Sequence, residues 1–130
     1  MRIGLVGFGQ GGRFFHAPLI ASQPGVTFAG VVTRSAERRQ LLANDYPVVR
    51  PFDSLAQLAE AGVALLVLST SLHGRAEVVM QAIELGIAVV SDKPFAADTV
   101  QGQQLMDAAE RQNVLLSVYQ NRRWDSDFLT

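Results

Sequence analysis

Three glycines directly after the first apolar segment are the feature that most constrains this fold. Residues 3–6 form a short apolar run, and Gly7, Gly9 and Gly12 follow it in the spacing G-x-G-x-x-G. In that spacing the first glycine permits a tight turn, the second lets the backbone approach a pyrophosphate, and the third allows a helix to pack closely on a strand. We therefore predict a strand, a phosphate-binding loop and a helix, while a plain glycine-rich turn remains the alternative. The candidate phosphate-binding residues are Gly7, Phe8, Gly9, Gln10, Gly11 and Gly12.

Composition restricts the classes of function. The chain has 130 residues, of which 48% are hydrophobic, and this is enough for one domain with a core. Its net charge of -1, with scattered arginines, argues against nucleic acid or a membrane as partner and favours a small molecule. The chain has no cysteine, which excludes disulfides, a thiolate nucleophile and cysteine-ligated metals and suits a cytoplasmic protein. We predict no metal site.

Apolar residues switch repeatedly between strand-like runs and helical spacing. Strands are expected at residues 3–6, 26–32, 48–49, 64–68, 87–90 and 114–119. The later helices are expected to begin at Ser35, at Asp53 or Ser54, near Gly74, and at Asp98 or Thr99. This alternation predicts an α/β fold, a doubly wound parallel sheet of the Rossmann type, over residues 1–120.

Two helices carry more detailed expectations. Pro18 is compatible with the first helix only where it begins a new turn, so we expect this helix to be broken. The apolar residues at helical spacing in the first helix are Phe14, Phe15, Leu19 and Ile20. The residues of the last helix expected to face the core are Leu105, Met106 and Ala109.

The carboxyl ends of the strands are where such a fold binds its ligand. After the second strand, an acid usually binds the ribose 2′-hydroxyl of NAD, whereas arginine accommodates the 2′-phosphate of NADP. Here the acid is missing, and Thr33, Arg34 and Arg38 occupy this place. Guanidinium groups form strong forked bonds to phosphate, so we predict NADP as the preferred cofactor, with NAD possible. The alternative is that both arginines only solvate a helix face.

The segment Asp92-Lys93-Pro94 follows the fifth strand and contains the only lysine of the chain. Its place after a buried strand, before a proline that restricts it, predicts that the ammonium projects into the crevice. Such a lysine can bind a substrate hydroxyl, polarise a carbonyl or carry a proton, so Lys93 is the candidate catalytic residue. The alternative is an exposed lysine that only aids solubility.

Four separated motifs together resemble the Gfo/Idh/MocA family (glucose-fructose oxidoreductase, inositol dehydrogenase and rhizopine catabolism). They are the glycine segment 7–12, His16-Ala17-Pro18, Gly86 leading to Asp92-Lys93-Pro94-Phe95, and residues 120–125. The resemblance implies an NAD(P)-dependent oxidoreductase that acts on a sugar, an inositol or a related polyol. It also implies that Lys93 faces the substrate and that Thr33, Arg34 and Arg38 bind phosphate.

Two departures from the family pattern leave roles open. The usual Thr-Pro-x-x-x-His after the fourth strand is here Thr70 to Arg75, with Ser71 for the proline and Arg75 for the histidine. The candidate cofactor contacts after this strand are Ser69, Thr70, Ser71 and His73, and those after the fifth are Asp92, Lys93 and Pro94. His16 could approach the nicotinamide end, or it could only stabilise the break in the first helix.

The resemblance further implies a second, largely β, substrate-binding domain, with residues 121–130 as the start of the linker into it. Asp125 or Ser126 would then cap a helix. We expect the full-length form to be a homo-oligomer, and the 130 residues alone to bind nucleotide weakly without turning over a sugar. Two alternatives are a non-catalytic NAD(P)-sensing or interaction module, which has little need of Lys93, and a methyltransferase, which would normally have an acid after the second strand.

Overall fold

The computed structural model describes residues 1–126, apart from the side chain of Trp124. Its strands are β1 (Arg2–Val6), β2 (Thr27–Val32), β3 (Pro51–Phe52), β4 (Leu65–Leu68), β5 (Ala88–Asp92) and β6 (Leu116–Tyr119). They form one sheet in the order β3-β2-β1-β4-β5-β6, and every neighbouring pair is parallel. The predicted doubly wound parallel sheet is therefore confirmed. Residues 127–130, the end of the predicted linker, lie outside the described residues.

Helices connect the strands and cover both faces of the sheet. They are α1 (Ala17–Ser22), α2 (Ala36–Asp45), α3 (Leu55–Glu60), α4 (Arg75–Glu84) and α5 (Thr99–Arg111). A π-helical turn (Gly12–His16) precedes α1, and a 3-10 turn (Asn121–Trp124) follows β6. Within residues 1–126, no helix has the length and apolar character needed to cross a membrane.

Short polar side chains begin three of the helices. Ser35, Ser54 and Asp98 each accept a hydrogen bond from the backbone N–H of the third residue of the following helix. Such a cap satisfies one of the free donors at a helix start and contributes about 1 kcal/mol. The open choices between Asp53 and Ser54, and between Asp98 and Thr99, are thus resolved.

Two clusters of buried side chains lie on opposite faces of the sheet. One joins the strands to α3, α4 and α5, with Leu58, Leu66 and Ile83 fully buried within it. The other joins them to α1 and α2 through residues such as Leu5 and Leu42. Burying one leucine side chain contributes about 1.5–3 kcal/mol, so these clusters hold the strand ends in fixed relation.

The first helix is broken as predicted, but its apolar spacing does not correspond to burial. The chain forms the π-helical turn first, and Pro18 then lies in the first turn of α1. Ile20 is buried, whereas Phe14, Phe15 and Leu19 are 61%, 58% and 48% exposed. These three side chains therefore lie on the side of the π-helical turn and of α1 that faces away from the sheet.

The third strand lies three residues later than predicted. Val48 and Val49 belong to a turn in which Val49 N–H donates to the Tyr46 carbonyl at 2.9 Å. Pro51 and Phe52 instead pair with the end of β2. Their partner residues in β2, rather than local β-propensity, determine where this edge strand forms.

Two further expectations need correction. Met106 is 56% exposed, whereas Leu105 and Ala109 are buried, because residue 106 is rotated about 100° from residue 105 around the helix axis. The fifth strand does not end at residue 90, since Ser91 and Asp92 continue its pairing with β6. Asp92 is therefore the last residue of a strand and not a loop residue.

Candidate functional site

The order of the strands creates a crevice at the carboxyl end of the sheet. The chain proceeds from β1 to β2 and β3 on one side, and then crosses to β4, β5 and β6 on the other. The connections therefore diverge between β1 and β4, which is where doubly wound sheets bind ligands. The loops after β1, β2, β4 and β5 surround this crevice.

The three glycines after β1 serve different purposes. Gly7 has a φ of +94°, and a Cβ there would lie 2.2 Å from the Ser69 carbonyl oxygen. A Cβ on Gly12 would lie 2.1 Å from the Gly7 carbonyl oxygen. By contrast, a Cβ on Gly9 would meet only the Arg38 guanidinium, at 3.7 Å. The fold itself excludes side chains at Gly7 and Gly12, whereas the space beside Gly9 is open to a ligand.

Gly11 packs this loop against two polar side chains from neighbouring strands. A Cβ on Gly11 would lie 2.7 Å from the Ser69 hydroxyl oxygen and 3.5 Å from Oδ2 of Asp92. The Ser69 hydroxyl in turn donates a hydrogen bond to the same carboxylate oxygen at 2.7 Å. Polar side chains at the ends of β4 and β5 thus pack directly against the glycine loop.

A cleft of about 510 Å³ lies between the ends of β1 and β2. Its polar lining includes Thr33, Arg34, Ser35, Arg38, Asp53 and Thr70. Thr33 is buried, while Arg34 and Arg38 are exposed. Within residues 1–126, neither guanidinium makes a hydrogen bond or an ion pair. Both are therefore available to an anionic ligand.

The acid that lines this cleft is already paired. Arg39 binds the Asp53 carboxylate at 2.5 Å and also donates to the Thr33 carbonyl at 3.0 Å. These bonds neutralise Asp53 and fix the end of β2. The carboxylate consequently does not compensate the charges of Arg34 and Arg38.

A smaller pocket of about 170 Å³ lies at the end of β5. It is lined by Gly11, Phe15, His16, Asp92, Lys93, Tyr119 and Asn121. Lys93 is exposed, and its side chain has no hydrogen-bond partner in the part of the chain that the structure describes. The peptide bond between Lys93 and Pro94 is cis.

His16, Asp92 and Ser69 form a hydrogen-bonded network beneath this pocket. Nε2 of the buried His16 lies 2.6 Å from Oδ1 of Asp92, and the imidazole packs on the Tyr119 ring with centroids 4.6 Å apart. Burial alone would raise the pKa of Asp92. The hydrogen bonds from His16 and Ser69, with the charges of His16 and Arg75, nevertheless lower that pKa below its ordinary value. The carboxylate is therefore ionised at neutral pH.

Arg75, the first residue of α4, is 3% exposed. Its guanidinium donates to the main-chain carbonyls of Asp92, at 2.8 Å, and of Pro94 and Thr70. Burial lowers the pKa of Arg75, and the nearby charge of Asp92 opposes this change. The chain thus places a buried cation between the loops that follow β4 and β5.

Several residues singled out from the sequence lie away from these cavities. The Phe8 side chain is 1% exposed within the core, so only its backbone can face a ligand. Ser71 and His73 are exposed in the loop before α4, where the Ser71 hydroxyl donates to the His73 carbonyl at 3.4 Å. Gln10 is also exposed, and it borders a shallow surface cavity beside Arg38.

Two aromatic contributors to the pocket were not identified from the sequence. Phe15 was expected only as an apolar residue of the first helix and Tyr119 only as the end of the last strand, yet both line the pocket. Asn121, which also lines it, lies in the motif at residues 120–125. A signal for Tyr119 was available, because this residue ends a predicted strand at the ligand-binding edge of the sheet. The sequence marked Arg75 only as the replacement of a histidine in the family pattern. Its contacts had no signal, since its partners are carbonyl groups that every residue possesses.

Comparison with known proteins bears on this arrangement. A family model described as "Oxidoreductase family, NAD-binding Rossmann fold" matches residues 1–120. The chain belongs to this family. The model is that of the Gfo/Idh/MocA oxidoreductases, so the resemblance seen in the motifs is confirmed. The chain is an NAD-binding Rossmann domain of an oxidoreductase family.

Relatives within this family are longer than the chain. It is 38% identical to the uncharacterized oxidoreductase YdgJ of Escherichia coli K12, matching 100% of this chain and 37% of that protein. It is 33% identical to scyllo-inositol 2-dehydrogenase (NADP(+)) IolW of Bacillus subtilis, matching 100% and 36%. The crystal structure of an NAD-binding protein from Listeria innocua superposes with a TM-score of 0.89 at 32% identity, covering 98% of this chain and 37% of that one. The chain therefore spans little more than a third of the length of these relatives.

Proposed function

We propose that this domain binds a nicotinamide dinucleotide and prefers NADP(H) to NAD(H). The preference rests on one observation: Arg34 and Arg38 line the cleft at the end of β2 without partners among the described residues, and Arg39 already neutralises Asp53. A 2′-phosphate carries two negative charges and accepts forked hydrogen bonds from guanidinium groups. A ribose 2′-hydroxyl would leave both cations uncompensated. NADP dependence is also part of the name of the relative IolW.

The glycine loop offers a position for the diphosphate. The space beside Gly9 is free of main-chain atoms, and the loop is supported by Gly11 on Ser69 and Asp92. In this fold the pyrophosphate lies against the backbone N–H groups at the start of the helix. The residues present therefore fit a dinucleotide that extends from Arg38 across Gly9 toward the pocket at Lys93.

Lys93 is the residue that we propose for the chemistry in the complete protein. A bound nicotinamide would supply the hydride donor or acceptor. Lys93 lines the pocket at the end of β5, where its ammonium can donate a hydrogen bond to the reacting oxygen of a substrate and hold or release a proton there. The substrate we propose is a sugar, a polyol or a related hydroxy or keto compound, since IolW is named for scyllo-inositol.

Three further parts of the proposal concern the whole protein. Residues 1–120 form the cofactor domain, and residues 121–130 begin the linker to a substrate-binding part. The protein acts in the cytoplasm, in keeping with a sequence that has no cysteine. The full-length form is a homo-oligomer. Phe15 is exposed and lines the Lys93 pocket, while Phe14 is exposed at a separate cavity beside Gly9 and Arg38. We expect these apolar side chains to be covered in the full-length form.

Fluorescence titration of the purified chain with NADPH and NADH tests the cofactor assignment. We expect NADPH to bind at least tenfold more tightly, and tighter binding of NADH would refute the preference. The protein expressed from its complete gene, assayed with NADP⁺ and a panel of polyols and sugars, tests the chemistry. There, Lys93→Ala should abolish turnover while the affinity for NADPH changes less than threefold. Full turnover by Lys93→Ala would refute the role of Lys93.

A further inference from the structure

Arg75 is an unusual residue at the start of α4. A positive charge at a helix N-terminus is disfavoured by the helix dipole, and a buried charge is costly unless it is hydrogen-bonded. Arg75 nevertheless is 3% exposed there and, within the described residues, forms no direct ion pair. Core packing alone would be achieved more favourably by an apolar side chain. The hydrogen bonds of the guanidinium must therefore account for the presence of a buried arginine at this position.

Those hydrogen bonds converge on the main chain that carries Lys93. The NH1 group of Arg75 donates to the Asp92 carbonyl at 2.8 Å and to the Pro94 carbonyl. These two carbonyls belong to the residues immediately before and after Lys93. One guanidinium nitrogen thus connects α4 to the peptide unit that precedes Lys93 and to the peptide unit that follows Pro94.

The second guanidinium nitrogen extends the connection to the loop after β4. NH2 of Arg75 donates to the Thr70 carbonyl, and Thr70 lines the cleft between β1 and β2. The remaining nitrogen, Nε, is buried and makes no hydrogen bond within residues 1–126. Arg75 therefore uses both terminal nitrogens to join the segments at Thr70 and Lys93.

The Lys93 side chain has no such restraint of its own. It is exposed and makes no hydrogen bond within the described part of the chain, so the backbone is the part of Lys93 that the structure holds, and the backbone position limits where the ammonium can reach. We propose that Arg75 is a positioning residue, which fixes the main chain at Lys93 so that the ammonium points into the pocket at the end of β5. This inference rests on the function proposed above and adds a residue to it.

The experiment uses nuclear magnetic resonance of this chain, in which Lys93 is the only lysine. Reductive ¹³C-dimethylation labels its ammonium without removing the charge, and ¹⁵N relaxation reports the order of its backbone amide. The variants are Arg75→Gln, which removes the cation, and Arg75→His, which introduces the residue of the family pattern. The matched control is Arg2→Gln, because Arg2 also donates to a main-chain carbonyl, that of Ala61 at 3.1 Å, but lies at the amino end of β1.

We expect the order parameter of the Lys93 amide to fall from about 0.85 to about 0.6 in Arg75→Gln, with a smaller decrease in Arg75→His. The dimethyl signal of Lys93 should shift in both variants and remain unchanged in Arg2→Gln. Circular dichroism establishes whether each variant is folded. If Arg75→Gln is unfolded, the same two measurements on Arg75→His test the proposal. An amide order parameter and a dimethyl signal equal to those of the unaltered chain would overturn the proposal, even if the variant is less stable.

Adding NADPH separates this inference from the proposed function. The order of the Lys93 amide is measured without nucleotide, so it tests Arg75 whether or not NADPH binds. If NADPH leaves the dimethyl signal of the unaltered chain unchanged at saturation, the proposed place of Lys93 beside the nicotinamide is wrong. If NADPH shifts that signal equally in Arg75→Gln and in the unaltered chain, the positioning role of Arg75 is wrong while the proposed function stands.

Discussion

Nε2 of His16 and Oδ1 of Asp92 lie 2.6 Å apart, although 76 positions separate the two residues in the sequence. This bond joins the π-helical turn after the glycine loop to the last residue of β5. Asp92 thereby orients the loop on one side of the pocket, while its main-chain carbonyl is bound by Arg75 on the other. Asp92 thus connects the turn after the glycine loop to the main chain beside Lys93, and the proposed function depends on both segments.

The Asp92 carboxylate should stabilise the fold in a pH-dependent way. Because the folded state lowers the pKa of Asp92, its contribution is present above the unfolded value of about 3.9 and is lost as pH falls through the folded pKa. We expect Asp92→Asn to reduce the free energy of unfolding by about 1–3 kcal/mol at pH 7 and by less at pH 3. Urea unfolding at both pH values measures this. Glu84→Gln, at an exposed end of α4, should change little, and an equal loss for Asp92→Asn at both pH values would contradict the prediction.

Replacing the cleft arginines should affect NADPH more than NADH. Arg34→Ala and Arg38→Ala should each cost about 1.5–3 kcal/mol of NADPH binding, or roughly 10- to 150-fold in Kd, because each removes a charged hydrogen bond to the 2′-phosphate. The Kd for NADH should change less than threefold. Isothermal titration calorimetry measures both, with Arg111→Ala at the exposed end of α5 as the control. Equal losses for the two nucleotides would show that the arginines bind another part of the cofactor.

Gly9 and Gly12 should separate binding from folding. In Gly12→Ala, the new Cβ would lie 2.1 Å from the Gly7 carbonyl oxygen, so we expect a loss of several kcal/mol in stability. In Gly9→Ala, the new methyl contacts only the Arg38 guanidinium, so stability should change by less than about 1 kcal/mol. NADPH affinity should nevertheless fall at least tenfold, because the methyl occupies the proposed path of the diphosphate. Thermal melts and NADPH titration test this.

The control for these glycine variants is Gly25→Ala. Gly25 has a φ of +76° and no atom within 4 Å of its Cβ position, so only backbone strain of about 1–2 kcal/mol is expected, without a change in binding. Gly9→Ala that binds NADPH as tightly as the unaltered chain would refute the proposed diphosphate position.

Substitutions at Gly4 and Leu58 should partly compensate each other in the free energy of unfolding. A Cβ on Gly4 would lie 2.6 Å from Cδ2 of Leu58, a fully buried side chain. Gly4→Ala should therefore cost about 1–3 kcal/mol through overpacking, and Leu58→Ala about 2–5 kcal/mol through a cavity. The double variant should lose less than the sum, by about 0.5–3 kcal/mol, since the new methyl enters space that Leu58 vacated. Urea unfolding of all four chains measures the coupling, and strict additivity would disprove the contact.

Local chemistry explains which parts of the fold could be predicted from the sequence. Ser35, Ser54 and Asp98 cap their helices through bonds to residues three positions away, so a short window contains the whole signal. The edge strand at Pro51 depends on pairing with Val31, which lies outside any such window. Helical periodicity could have shown that Met106, next to the buried Leu105, faces away from the core. It could not show that the first helix begins with a π-helical turn in which Phe14 is exposed.

In the candidate site, too, local features could be predicted from the sequence and contacts between distant residues could not. The glycine spacing and the arginines after β2 are sequence signals because side-chain identity, or its absence, determines what can bind there. Arg75 binds three carbonyl groups, and the carbonyls of Asp92 and Pro94 are 17 and 19 positions away. A main-chain acceptor is the same at every residue, so no sequence pattern marks it. Such contacts become visible only when the fold is known.

The two outer strands of the sheet have unequal capacities for further pairing. β3 has two residues, and the first, Pro51, has no N–H to donate, whereas β6 offers four residues along the opposite margin of the described sheet. Short strands and proline are features that block edge-to-edge association. An additional strand, whether from the same polypeptide or from another, would therefore extend the sheet beside β6, and the margin at β3 is closed to such growth.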